Sequence, residues 1–257
     1  MDKSQNREDF QDVPGYVAAM ARHFPRGYVN PQHAHKRGQL IYAISGVMEV
    51  STIDHHWLLP PQRALWMPPQ VKHEMRSRTD VELRTLFVRV PDVEQPLPEV
   101  PALVYVTPLL RELILRAVDL PVENGASGVA AQVLSLIFCE MRFVPPTEFY
   151  MPRVSDPRLV RVEDALRHEP GSHEGVEHWA SLANMSLRTF ARRIKDETGL
   201  SFTDWRQQIR LTEAVVGLVG GEPVTTVALS LGYENTGSFS RMFKRVMGIS
   251  PSELSTA

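Results

Sequence analysis

The chain of 257 residues holds a single cysteine, Cys139. An internal disulfide is therefore excluded, which fits a reducing compartment. Cys139 falls within an apolar helical pattern, where a small buried hydrophobe is the plain expectation and a reactive thiol the rarer one. No sign of charge dominates either: 28 Lys and Arg stand against 30 Asp and Glu, a formal net charge of −2. From Arg153 onward the balance is 13 against 13. Bulk basicity thus advertises no polyanionic partner, and any affinity for phosphate must come from local placement of cations. Long apolar runs are missing too, since none approaches the roughly 20 residues a membrane helix needs. The opening MDKSQNREDFQDV is polar and acidic. The expectation is a soluble, cytoplasmic protein with no membrane partner.

What the chain does have is a change of pattern along its length. Two ordinary domains fit in 257 residues. Residues 1–100 read as short strands, LIYAIS (40–45), GVMEVSTI (46–53) and VELRTLFVRV (81–90). In the last, Val81, Leu83 and Phe87 alternate with Glu82, Arg84 and Val88. Pro60, Pro61, Pro68 and Pro69 punctuate between strands, which argues for a β-barrel or sandwich. Residues 101–144 turn helical. Thr107 can cap a helix with Pro108 at its first position and Leu109, Leu110, Leu113, Ile114 and Ala117 on one face. A second helix follows Ser127, with Ala130, Val133, Leu134, Ile137, Phe138 and Met141 at helical spacing. These two helices either cover the barrel or pair with another subunit, and periodicity alone leaves both open. Residues 145–155 lie in a stretch with four prolines between 143 and 157, the expected linker. Residues 156–257 are helical throughout, so the fold class is α+β with two domains.

The helical part contains a duplication. Phe190-x8-Gly199-x-Ser201 recurs 49 residues later as Phe239-x8-Gly248-x-Ser250, with Arg192 and Arg241 each two residues after the phenylalanine. Around each copy the pattern predicts a short helix, a tight turn and a second helix, over 175–199 and 223–248. In the first copy Ser186 caps the second helix. Leu187, Phe190, Ala191 and Ile194 are expected to face inward, with Arg188, Thr189, Arg192 and Lys195 outward. In the second, Gly232 occupies the turn and Phe239, Met242, Phe243 and Val246 are expected inside. Thr236, Gly237, Ser240, Arg241, Lys244 and Arg245 are then left outside. Helix, turn, helix with outward cations is a layout for the major groove. An arginine there can make a bidentate contact to guanine, worth about 1–3 kcal/mol of discrimination, while lysines and hydroxyls hold phosphates. Between the copies, a helix capped by Thr203 and ending at Gly220-Gly221 would set the distance between the two reading helices, with Trp205, Ile209, Ala214 and Leu218 buried. A separation of about 34 Å would match successive major-groove turns.

Residues 156–257 resemble the DNA-binding domain of the AraC/XylS family of bacterial transcription regulators. The resemblance rests on Val227-Ala228, Leu231-Gly232-Tyr233, Gly237-Ser238-Phe239-Ser240-Arg241, Phe243-Lys244 and Gly248-Ile249-Ser250-Pro251. It implies DNA contacts at Arg188, Arg192, Thr236, Gly237, Ser240 and Arg241. Two positions depart from the family pattern: Gly237 offers no side chain, and Ala191 stands where a longer polar residue often sits. The resemblance further implies double-stranded promoter DNA and a small-molecule effector as partners, and a homodimer.

Histidines cluster at the other end. Gly27-x5-His33-x-His35-x3-Gln39-x6-Gly46 resembles the first motif of the cupin barrel, with Gln39 for the customary Glu. Gln62-x5-Pro68-x-Gln70-x2-His73 resembles the second, with glutamine at both glycine places. By that resemblance His33, His35, Gln39 and His73 converge inside a barrel, where imidazoles suit Zn, Fe, Ni or Cu. The attached DNA-binding unit favours a sensor barrel that keeps the spacing without an ion, and so no resident cofactor. A sensor that holds a divalent metal, and a cupin metalloenzyme of dioxygenase type using His33, His35 and His73, remain alternatives. His55 and His56 are expected in an exposed hairpin turn.

Overall fold

A computed structural model describes residues 10–120, 128–144 and 150–255. The chain divides into two units, Met1–Thr52 with Leu58–Glu148, and Ile53–Trp57 with Phe149–Ala257. Among the described residues strands alternate with turns: β1 (Val17–Phe24), β2 (Val29–His33), β3 (Gly38–Ser45), β4 (Met48–Ser51), β5 (His55–Leu59, of which His55–Trp57 belong to the second unit), β6 (Arg63–Met67), β7 (His73–Ser77), β8 (Val81–Val88), β9 (Ala102–Tyr105) and β10 (Arg142–Phe143). They form two sheets, β1-β8-β3-β6-β9-β10 and β5-β4-β7-β2.

The alternation expected in β8 holds from Val81 to Arg84 and then stops, because Thr85, Leu86, Phe87 and Val88 are all buried. One face carries Leu86 and Val88 into a core with Leu110 and Ile114, and the other carries Phe87 against Phe10, Ala18 and Met20, so the second half is covered on both faces. On one face Leu40, Tyr42, Trp66, Leu86 and Val104 pack against α1 (Pro108–Asp119) and α2 (Gly128–Glu140) through Leu110, Ile114, Leu134, Ile137 and Phe138. Each such side chain contributes about 1.5–3 kcal/mol on burial. The two helices therefore cover a sheet of their own unit, which resolves one of the two possibilities left by periodicity. Thr107 caps α1 as expected, its hydroxyl accepting from the Leu110 N–H at 3.1 Å. Arg111 then reaches the Tyr42 hydroxyl at 3.0 Å, and burial raises the pKa of that phenol.

Several expectations need correction here. Leu109 is exposed, because the buried stripe of α1 is narrower than its apolar sequence. Cys139 is exposed as well, lying on the outer side of α2 with Gln95 Nε2 at 3.5 Å from its sulfur. The segment 101–144 is not purely helical: β9 extends the six-stranded sheet beyond β6, and β10 pairs with β9. His55 and His56 belong to strand β5 and are half-buried, with His55 stacked on Trp57 at 5.4 Å. Ser127 and residues 145–149 of the expected linker lie outside the described residues. In the second unit, Tyr150–Pro152 form the short β11, which pairs antiparallel with His55–Trp57.

Gln70 occupies a glycine place of the second histidine motif and adopts φ 63, the left-handed region that glycine favours. Its N–H donates to the His35 carbonyl at 2.8 Å, which joins the second motif to the first. Gln70→Gly is expected to raise the stability of this unit by about 1 kcal/mol, since a side chain in this conformation costs roughly that much. Chemical denaturation checks it; a destabilised variant would refute the strain.

The second unit is built from helices. α3 (Pro157–His168) starts at Asp156, whose side chain accepts from the Arg158 N–H. Hydrogen bonds from the Arg158 side chain and backbone hold the Asp156 carboxyl at about 2. α4 (Val176–Leu182) and α5 (Leu187–Thr198) form the first helix pair, and α7 (Val224–Ser230) and α8 (Thr236–Met247) the second. α6 (Phe202–Val219) joins them, and α9 (Pro251–Ser255) follows. At 1.5 Å per residue, α6 is about 27 Å long. Its cap is Ser201 rather than Thr203: the Ser201 hydroxyl accepts from the Asp204 N–H at 3.2 Å and donates to the Asp204 carboxylate at 2.6 Å. The helix thus begins two residues earlier than Thr203 would allow.

The 49-residue duplication acquires a structural meaning in this unit. Phe190 and Phe239 are fully buried, and Gly199 and Gly248 end their helices at φ 71 and φ 74. Ser201 and Ser250 cap the next helices, Ser250 accepting from the Glu253 N–H at 3.3 Å. The spacing records a core anchor, a left-handed stop and the start of the following helix. Gly171 and Gly232 also meet backbone to backbone. A Cβ on Gly232 would lie 2.7 Å from the Gly171 carbonyl oxygen, and one on Gly171 would lie 2.4 Å from that of Ser230.

Candidate functional site

On α5 the polar and buried positions separate by helical geometry. Phe190, Ile194 and Thr198 point into a core with Trp179, Trp205 and Ile209. The opposite face carries Leu187, Arg188, Ala191, Arg192 and Lys195, all exposed. Leu187 and Ala191 were expected inside. Phe190 and Ile194 fill the core, and the rotation of the helix leaves these two beside the arginines. Arg188 and Arg192 make no hydrogen bond or ion pair with described residues. Thr189 is half-buried and engaged in the cap, its hydroxyl accepting from Ser186 at 3.0 Å. Lys195 turns back to donate to the Gly199 carbonyl at the end of the helix. Arg193, which the pattern did not single out, is exposed too.

On α8, Asn235 is the cap, its side chain accepting from the Ser238 N–H at 2.9 Å. Phe239 and Phe243 are buried, with ring centroids 5.5 Å apart. Gly237, Arg241, Lys244 and Arg245 are exposed, while Thr236 and Ser240 are half-buried. Val246, expected inside, is exposed because the buried stripe of α8 is only two phenylalanines wide. A Cβ on Gly237 would sit 3.7 Å from an Arg241 guanidinium nitrogen, so the arginine lies over the glycine.

α6 ties the two helix pairs together. Arg210 donates to the carbonyls of Pro170 at 2.7 Å and Ser172 at 3.1 Å, and Arg206 to those of Ser172 and Glu174. Burial lowers the pKa of both guanidiniums. Further along, Gln207 reaches the Tyr233 hydroxyl at 3.4 Å and the Met242 sulfur at 3.3 Å. With the Gly171 and Gly232 contact, these bonds link the two helix pairs through α6. Sequence periodicity carried no signal for them, because the arginines and the carbonyls they hold are more than 30 residues apart.

In the first unit the histidines do converge. β2 and β7 pair so that His33 lies opposite His73, and their ring centroids are 4.4 Å apart. A bulge between Asn30 and His33 re-aims the end of β2. His35, two residues on, closes the group at 4.9 Å from His33 and 5.4 Å from His73. One ring nitrogen from each of the three lies within 4.8 Å of the others. Gln39 lines the same cavity together with Met20, Phe24, Met75 and Phe87.

Comparison with known proteins agrees with both halves. Residues 14–125 match the family model of the AraC-like ligand binding domain, and residues 179–257 match a helix-turn-helix domain. The HTH-type transcriptional regulator NimR of Escherichia coli is 34% identical over 222 residues, which is 86% of this chain and 81% of that protein. The arabinose operon regulatory protein of the same organism is 23% identical over 258 residues, 98% of this chain and 75% of its own. Among solved structures, ToxT from Vibrio cholerae aligns over 94% of this chain and 98% of its own, at 9% identity and a TM-score of 0.39. Two helix-turn-helix pairs joined by one helix, preceded by a β-rich ligand-binding unit, place the chain in the AraC family of DNA-binding transcription regulators.

Proposed function

We propose that this regulator reads promoter DNA with the outward faces of α5 and α8. The observation that carries the reading is the pair of uncommitted arginines, Arg188 and Arg192, on a helix whose other face is locked into the core. Arg188 and Arg192 supply base contacts, and the exposed Leu187 and Ala191 beside them offer apolar surface to thymine methyl groups. α8 presents Thr236, Gly237, Ser240 and Arg241 with Lys244 and Arg245, a face suited mainly to backbone docking. Thr189 supports this by holding the cap of α5, and Lys195 stays within reach of a phosphate.

The chain acts by binding rather than by turnover, as a homodimer in the cytoplasm. A small molecule held in the first unit shifts how α1 and α2 pack and so how two subunits present their DNA-binding units. No described helix is long and apolar enough to cross a membrane. The net charge of −2 means that phosphate affinity rests on the few cations of these two faces. Selection of bound fragments from genomic DNA tests the reading. It should enrich a defined site, and failure to enrich any site would sink it. Affinity for that site should fall about a thousandfold between roughly 50 and 200 mM salt if about six phosphates are contacted. A salt-independent affinity would point to a different surface.

A further inference from the structure

The histidine cluster carries more than a sensor barrel requires. Three imidazoles from β2, the loop after it and β7 bring one nitrogen each within 4.8 Å of the others. Two of the rings are already oriented. His33 Nδ1 lies 2.7 Å from the Pro31 carbonyl and His73 Nδ1 lies 2.9 Å from that of Val71. A carbonyl only accepts, so each bond places the proton on Nδ1 and leaves the Nε2 lone pair for the cluster. That is the outer-shell arrangement that fixes the tautomer of a metal-ligating histidine. His35 is held from another side, its ring edge on Phe87 at 5.0 Å and its carbonyl on the Gln70 N–H.

Besides Arg22 and Asn30, the cavity is lined by Gln39, whose buried Oε1 makes no hydrogen bond with described residues. An amide oxygen in that position is a neutral donor. No acidic residue lines the cavity. Hard cations that select carboxylate and other oxygen cages are poorly served by such a set, whereas Zn, Ni, Cu and Fe accept imidazole readily. The space beside the three rings takes about one water-sized group, which is room for a single ion.

We infer that His33, His35 and His73, with Gln39 as a weaker oxygen donor, form a binding site for one divalent transition-metal ion in the ligand-binding unit. The bound ion keeps its full positive charge, because every donor is neutral. The inference does not depend on which residues of α5 and α8 touch DNA, and its failure would leave that reading intact.

The test is a titration of untagged, chelator-stripped full-length protein with Zn2+, Ni2+ and Co2+, followed by calorimetry and, for Co2+, by visible absorption. One equivalent per chain is expected. His33→Ala and His35→Ala should each weaken binding at least tenfold, whereas His23→Ala, on the exposed ion pair with Glu82, should bind as the wild type does. Gln39→Glu keeps the size and adds a charge, so it should tighten binding at least tenfold; unchanged affinity would remove Gln39 from the donor set. Far-ultraviolet circular dichroism confirms that each variant is folded before titration. Absence of saturable binding in the folded wild type, or equal affinity in the folded His33→Ala variant, overturns the site.

Discussion

Arg192→Ala should lower affinity for the selected DNA site by about five- to a hundredfold and leave affinity for scrambled DNA almost unchanged, because a bidentate arginine contact is worth roughly 1–3 kcal/mol of base discrimination. The geometry behind the expectation is specific. Arg192 extends from the outward face of α5, one turn after Arg188 and beside the small Ala191, so its guanidinium can approach a base edge without a bulky neighbour. Arg241 differs, because it folds back over Gly237, where no side chain competes for the space. Arg241→Ala should therefore weaken all sequences about equally and reduce the magnitude of the slope of log affinity against log salt by about 1. Competition binding against a panel of single-base variants separates the two outcomes. Relaxed discrimination in Arg241→Ala but not in Arg192→Ala would reverse the assigned roles of the two helices.

The largest stability effects are expected at the two duplicated phenylalanines. Phe190→Ala and Phe239→Ala should each cost about 3–5 kcal/mol, the range for emptying a fully buried aromatic site. Such a loss is a large share of the roughly 5–15 kcal/mol by which a domain is stable. Phe190 packs on Phe202 at 5.3 Å and shares a core with Ile194, Trp205 and Ile209. Phe239 lies between Tyr233 at 5.4 Å and Phe243 at 5.5 Å. Urea denaturation followed by the fluorescence of Trp179 and Trp205 reports on this unit. A cost below about 1 kcal/mol would mean that the site collapses around the gap or was never tightly packed.

The duplication was the most legible feature of the sequence, yet its residues mislead if taken for readers. Phe, Gly and Ser recur because each helix pair needs an anchor, a stop and a cap, and local chemistry of that kind is written in short spacing. The expected cap of α6, Thr203, lies inside the helix, and Ser201, the counterpart of Ser250, holds its start. Sidedness was harder to read. Leu187, Ala191 and Val246 look buried because they are apolar, but α5 and α8 each bury a stripe only two or three residues wide. Cys139 and Leu109 failed for the same reason on α1 and α2. The histidine cluster was legible as a motif and illegible as geometry. That His33 faces His73 follows from the pairing of β2 with β7 across 40 residues, and no local pattern reports a register of that range.

The backbone contact between Gly171 and Gly232 bears on how the binding specificity of such a chain can evolve. No side chain takes part in that contact, so none can be exchanged to lengthen or shorten it, and the interval between α5 and α8 is held constant while their outward residues remain open to change. Substitution can change what each outward face presents, while a contact made of backbone alone sets the phase between the two faces.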